Sequence, residues 1–128
     1  MIVADCTLIA RLIIAADDPT AARALWLRDS MWAAPRLWEP EFASVLLKYE
    51  RAGLLSVEAA TERTRFARET LEAMTHHVSI ARALETARRT GCSSYDSYYV
   101  ALAEDLNVKL YTYDKEILKK CQGLALRP

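Results

Sequence analysis

A helix that runs straight into a very short strand, which then stops at an aspartate, narrows the possible folds of this chain more than any other feature. The stretch from Thr90 to Leu118 reads TGCSSYDSYYVALAEDLNVKLYTYDKEIL. Ser94 suits an N-cap, and Tyr95, Tyr98, Tyr99, Leu102 and Leu106 recur at helical spacing, which predicts a buried seam. Asp96 falls in the first turn, about a quarter-turn from that seam at roughly 100° per residue. Asn107 suits a left-handed C-cap. Val108–Tyr111 is short and β-prone, and Thr112-Tyr113-Asp114 follows it directly, with Asp114 placed to cap a helix over Lys115–Cys121. Open α/β sheets place polar groups in this way, at the carboxyl edge of their strands. Capping alone accounts for either aspartate, so the question is whether other acids reach the same edge.

The rest of the chain supplies them. Ile2-Val3-Ala4 is apolar enough for a central strand, Asp5 ends it, and Thr7–Ile14 turns into a helix. Asp18-Pro19 predicts another helix start, with Asp as cap and Pro at the first helical position. Met31–Ala33 reads as a second strand. A long helix is expected from Pro40 to about Ala52, with Phe42, Val45, Leu46 and Tyr49 inward, Glu41 in its first turn and Gly53 as its stop. Ser56 caps a further helix through Met74, and the pair forms a hairpin able to project as an arm. His76-His77-Val78 suggests a third strand, Ser79 caps Ile80–Thr90, and Leu124-Ala125-Leu126 suggests an edge strand. Short apolar strands alternating with helices of ten or more residues predict a parallel sheet covered on both sides.

Composition excludes several classes. With 128 residues the chain reads as one domain, able to bury roughly two-thirds of its unfolded surface. Seventeen basic residues balance seventeen acidic ones, so no general attraction to nucleic acid exists and any such binding depends on local patches. Three cysteines without C-x-x-C spacing read as reduced, buried thiols, which fits a cytoplasmic protein. No signal peptide is evident and no apolar run is long enough to span a bilayer. Adjacent histidines on a strand point to opposite faces, so His76 and His77 are read as structural. With only three glycines, neither G-x-G-x-x-G nor a Walker motif can be written.

Asp5, Glu41, Asp96 and Asp114 therefore share one placement: each follows a strand or opens a helix at the expected carboxyl edge. Four such acids suggest a carboxylate site for hard divalent ions. Glu39 competes with Glu41 for the second position. A phosphatase of the haloacid-dehalogenase type would need a second aspartate where Thr7 stands. A receiver-like protein would need its lysine late on a strand, whereas Lys109 sits at the strand's beginning.

These segments carry a resemblance over essentially the whole chain. The opening I-V-A-D-C-T-L-I, the central E-F-A-S-V-L-L, then S-Y-D-S-Y-Y-V-A-L-A and L-Y-T-Y-D-K-E-I-L resemble the PIN-domain ribonucleases, and within them the toxins of VapBC-type toxin–antitoxin modules. The resemblance implies a three-layer α/β/α sandwich with a short, mostly parallel central sheet and an acidic pocket holding Mg²⁺ or Mn²⁺. It implies that Asp5, Glu41 and Asp96 are core metal ligands, that Asp114 is the fourth, and that Thr7 and Thr112 support the pocket. It further implies an RNA substrate, a cognate antitoxin, a homodimer, and no membrane association. Arg11, Lys48, Arg51 and Lys115 are candidate partners for substrate phosphates, and Trp26, Trp32 or Trp38 for the antitoxin. The alternative is a PIN-like nucleic-acid or protein-binding module with little or no nuclease activity.

Overall fold

Residues 1–15 and 17–128 are described by a computed structural model. The first change of backbone state falls at Asp5. Ile2–Ala4 forms β1, buried throughout, as an uninterrupted apolar run suits a strand covered on both faces. Asp5 stays extended, and its carboxylate accepts the Leu8 amide at 3.0 Å to start α1 (Cys6–Ile13). The next helix, α2 (Thr20–Arg28), begins one residue later than Asp18-Pro19 predicts. Pro19 is the cap residue, and Asp18 closes the turn by accepting both the amide and the hydroxyl of Thr20. The second strand, β2, is Trp32–Pro35.

The long helix α3 (Trp38–Arg51) starts two residues before Pro40. Pro40 is tolerated there because first-turn amides have no intrahelical acceptor to lose. After Gly53 comes α4 (Val57–Leu71), capped by Ser56 and tailed by a 3₁₀ turn at Glu72–Met74. The α3–α4 hairpin is not a free arm, since Ala60, Ala67 and Leu71 anchor α4 in the core. Its tip, with Leu54 and Val57, is exposed. The short β3 (Thr75–His76) leads to α5 (Ile80–Thr90), capped by Ser79 and closed by Gly91 in the left-handed region at φ 75°.

The predicted helix at Ser94 is α6 (Ser94–Leu106), but Ser93, not Ser94, is its cap, accepting the Asp96 amide at 3.1 Å. Its seam also differs. Tyr95 is 62% exposed, while Ser97, Val100, Ala101 and Ala103 are buried beside Tyr99 and Leu102. The helix is enclosed on more than one side, so its burial is not a single stripe. Asn107 ends it at φ 54° and ψ 46°, the predicted left-handed cap. Then follow β4 (Leu110–Tyr111), α7 (Lys115–Lys120) and β5 (Ala125–Leu126).

The five strands form one sheet in the order β3-β2-β1-β4-β5. Every pairing is parallel, and β5 is an edge as expected. Right-handed crossovers put α1 to α4 on one face and α5 to α7 on the other. The contacts agree: α1 packs on α2, α3 and α4, whereas α6 lies against β1, β2 and β4. This is the three-layer α/β/α sandwich. Trp32 and Trp38 are buried in it and Trp26 stacks edge-on against Trp32 at 5.2 Å, so neither Trp32 nor Trp38 is open to a partner. Cys6, Cys92 and Cys121 are buried free thiols.

The strand order has one consequence for the site. The chain leaves β1 toward β2 and later returns to its other side as β4. Such a reversal opens a crevice outside the carboxyl ends of the two central strands.

Candidate active site

Asp5 directly follows β1 and Thr112-Tyr113-Asp114 directly follows β4, so both segments stand at that crevice. Only Arg36 and Leu37 separate β2 from α3, which brings the first turn of α3, with Glu41, to the same edge. Three residues join the end of α6 to the start of β4. The helix must therefore begin near the sheet's carboxyl edge, and Asp96 is in its first turn. The four acids line one cavity of about 530 Å³. Glu41 faces it, whereas Glu39 is exposed elsewhere, 3.8 Å from Arg36.

Asp5 is 4% exposed and fixed on three sides. Its Oδ1 accepts from the Leu8 amide and, at 2.7 Å, from the Thr7 hydroxyl; its Oδ2 accepts from the Thr112 hydroxyl at 2.5 Å. A carboxylate offers about four acceptor positions, which leaves one on Oδ2. The same two threonines tie the opposite wall, because Thr7 Oγ1 accepts the Tyr113 amide and Thr112 Oγ1 accepts the Asp114 amide. Asp114 caps α7 as predicted, its Oδ1 accepting from the Glu116 and Ile117 amides. Capping and cavity lining thus coexist in Asp5 and Asp114.

The electrostatics link all four acids. Burial pushes the Asp5 carboxyl up to about 6 against the pull of its three donors, and Asp114 pushes the same way. Burial also raises Glu41, opposed by the Tyr99 hydroxyl and reinforced by Asp96. It raises Asp96, opposed by Ser93 and reinforced by Asp114. Cys6, between Asp5 and Glu41, is lifted to about 12 by burial and by both charges. It is a neutral thiol at neutral pH and a poor nucleophile. Among the described residues, no three Asp, Glu, His or Cys side chains converge as a ready-made cage for an ion.

One contributor was not legible as such in the sequence. Tyr99, 2% exposed and read as part of an apolar seam, lines the cavity and donates its hydroxyl to Glu41 Oε2 at 2.6 Å. A buried tyrosine needs a partner for its hydroxyl, which is the one signal that pointed to it. Of the candidate cations only Arg11 lines the cavity; Lys48, Arg51 and Lys115 are exposed outside it. Lys109 donates to the Gly123 carbonyl just before β4, at the far end of the strand from the acids. His76 is half-buried in β3 and His77 is exposed, and neither lines the cavity.

Known proteins share this fold. A model of the PIN domain family matches residues 2–123. Ribonuclease VapC3 from Pyrobaculum aerophilum is 35% identical over 89 residues, which is 66% of this chain and 67% of that protein. The crystal structure of PAE2754 from Pyrobaculum aerophilum superposes with a TM-score of 0.77 at 23% identity, covering 98% of this chain and 88% of that one. A toxin–antitoxin complex from Klebsiella pneumoniae gives 0.70 at 18% identity, and FitAcB from Neisseria gonorrhoeae gives 0.68 at 17%. Each covers 100% of this chain and 98% of its own. At these identities the structural matches speak for the fold, and with the family match they bear out the resemblance carried by the sequence motifs.

Proposed function

Because the chain belongs to the PIN domain family, whose model spans nearly all of it, we propose that it is a Mg²⁺- or Mn²⁺-dependent endoribonuclease. In this reading it is the toxin of a toxin–antitoxin pair and Asp5, Glu41, Asp96 and Asp114 are its metal-binding acids. One observation carries the reading: acids from four separate segments line one cavity, where Asp114 acts on Asp5 and Asp96, and Asp96 on Glu41. The curated relative named as a ribonuclease and the solved toxin–antitoxin complex point the same way.

The donor set fits a hard divalent ion. All four candidates are carboxylates, the one on Asp5 keeps an open acceptor position, and a bound cation would offset the repulsion among them. Mg²⁺ keeps several waters and binds through one or two carboxylates, so a closed cage is not required. When bound, such an ion lowers the pKa of a water and neutralises charge on the phosphoryl oxygens. The protein's part is positioning. Thr7 and Thr112 fix Asp5, Tyr99 orients Glu41, and Asp114 caps α7 through Oδ1 while lining the cavity.

An antitoxin partner, a homodimer and a cytoplasmic setting belong to the same proposal. No helix among the described residues is long and apolar enough to cross a membrane. The test is cleavage of labelled RNA with Mn²⁺, with and without chelator, by the wild type and by Asp5→Asn. Cleavage that requires both the ion and Asp5 supports the proposal. No cleavage under any of these conditions supports the binding-module alternative.

A further inference from the structure

An RNA phosphate approaching this cavity meets a wall dominated by acids, since Asp17 lines it together with the four described above. Arg11 is the one cationic side chain among the described residues of that wall. It lies in the last turn of α1, with its guanidinium carbon 4.4 Å from the centre of the Tyr113 ring. Tyr113 is anchored in turn, because its amide donates at 3.0 Å to the Thr7 hydroxyl that also bonds Asp5. Arg127 approaches the same ring at 5.5 Å. Stacking restricts the plane of a guanidinium while leaving its N–H edge for an in-plane acceptor, the geometry suited to a phosphate.

The present partner of that edge is weak. Asp17 stands 3.7 Å from Arg11 with its side chain 65% exposed, outside hydrogen-bond distance. Exposed pairs of this kind contribute little to stability. We propose that Arg11, stacked on Tyr113, is the phosphate-binding group of this cavity, taking a backbone phosphate of RNA beside Asp5 and releasing Asp17 to do so. The inference rests on the nuclease reading and adds to it a residue that positions the substrate.

The test is equilibrium binding of a short fluorescein-labelled single-stranded RNA, followed by anisotropy in EDTA so that nothing is cleaved, at several salt concentrations. Arg11→Ala is expected to weaken binding roughly tenfold, as for loss of a charge-assisted contact. It should also flatten the dependence of log affinity on log salt by about 0.7, one phosphate contact on a single strand. Arg11→Lys keeps the salt slope and loses part of the affinity, because a lysine neither stacks nor forks. Asp17→Asn binds about two- to threefold more tightly, since the competing carboxylate is gone. A purely structural role for Arg11 would move none of the salt slopes. Wild-type affinity and slope in Arg11→Ala, or weaker binding in Asp17→Asn, overturns the inference alone. A wild-type protein that neither binds nor cleaves RNA overturns the nuclease reading and the inference with it.

Discussion

Replacing Asp5 by asparagine should make the metal-free protein more stable at neutral pH, although it removes a buried, triply hydrogen-bonded group. Folding lifts this carboxyl from its ordinary 3.8 to about 6. Between those values the native state holds a proton that the unfolded chain has released, so stability falls as pH rises through the window. Above pH 6 the ionised carboxylate costs the fold about 3 kcal/mol, at 1.36 kcal/mol per tenfold in proton affinity. Asparagine carries no such charge. Its oxygen can still accept from the Leu8 amide and the Thr7 hydroxyl. Its NH₂, however, would face Thr112 Oγ1, which already accepts the Asp114 amide, a loss of about 1 kcal/mol. The net expectation is a gain of about 2 kcal/mol at pH 7.5, vanishing at about pH 4.5 and reversing below it. Urea denaturation in EDTA, followed by tryptophan fluorescence across that range, measures it. A variant less stable than wild type at pH 7.5, or a difference that does not change with pH, would refute the reasoning.

Other expectations are simpler. Tyr99→Phe keeps the core but leaves Glu41 unoriented, and should weaken Mn²⁺ binding roughly tenfold in calorimetry; unchanged affinity counts against the positioning role. In the metal-free protein the raised Asp5 holds a proton below pH 6, so Mn²⁺ must displace it. Apparent Mn²⁺ affinity should therefore fall as pH drops through 6 and level off above it, and calorimetry at pH 5, 6 and 7.5 reads this directly. Ser93→Ala should cost about 1 kcal/mol in thermal or urea unfolding while Ser94→Ala costs little, because Ser93 carries the α6 cap.

The elements were legible where local chemistry decides them. The left-handed Asn107, the caps at Asp5, Ser56, Ser79 and Asp114, and the apolar β1 all depend on neighbours a few residues away. Errors arose where two adjacent residues offer the same chemistry, as with Ser93 and Ser94, or where tertiary contacts overrule a local pattern. Tyr95 continues the helical spacing of Tyr98 and Tyr99, yet nothing packs over it, and Ser97 is buried instead. The acids could be picked out because each sits at a junction between elements. What periodicity could not reveal was the strand order that reverses at β1, and this brings those junctions to one crevice. Tyr99 stayed hidden for the same reason, and nothing local set Arg11 apart from Lys48, Arg51 and Lys115 as a cation for the cavity. The partners of Tyr99 and Arg11, Glu41 and Tyr113, are distant in sequence.

The central claim is that this crevice binds a divalent cation through Asp5 and its neighbours. Anomalous scattering from a crystal of the wild-type protein grown with Mn²⁺ tests it most directly. The account predicts a peak inside the cavity at coordination distance, about 2.1 Å, from the Asp5 carboxylate, and its absence in Asp5→Asn. A cavity without a peak at saturating Mn²⁺, or a peak that survives the substitution unchanged, would contradict it.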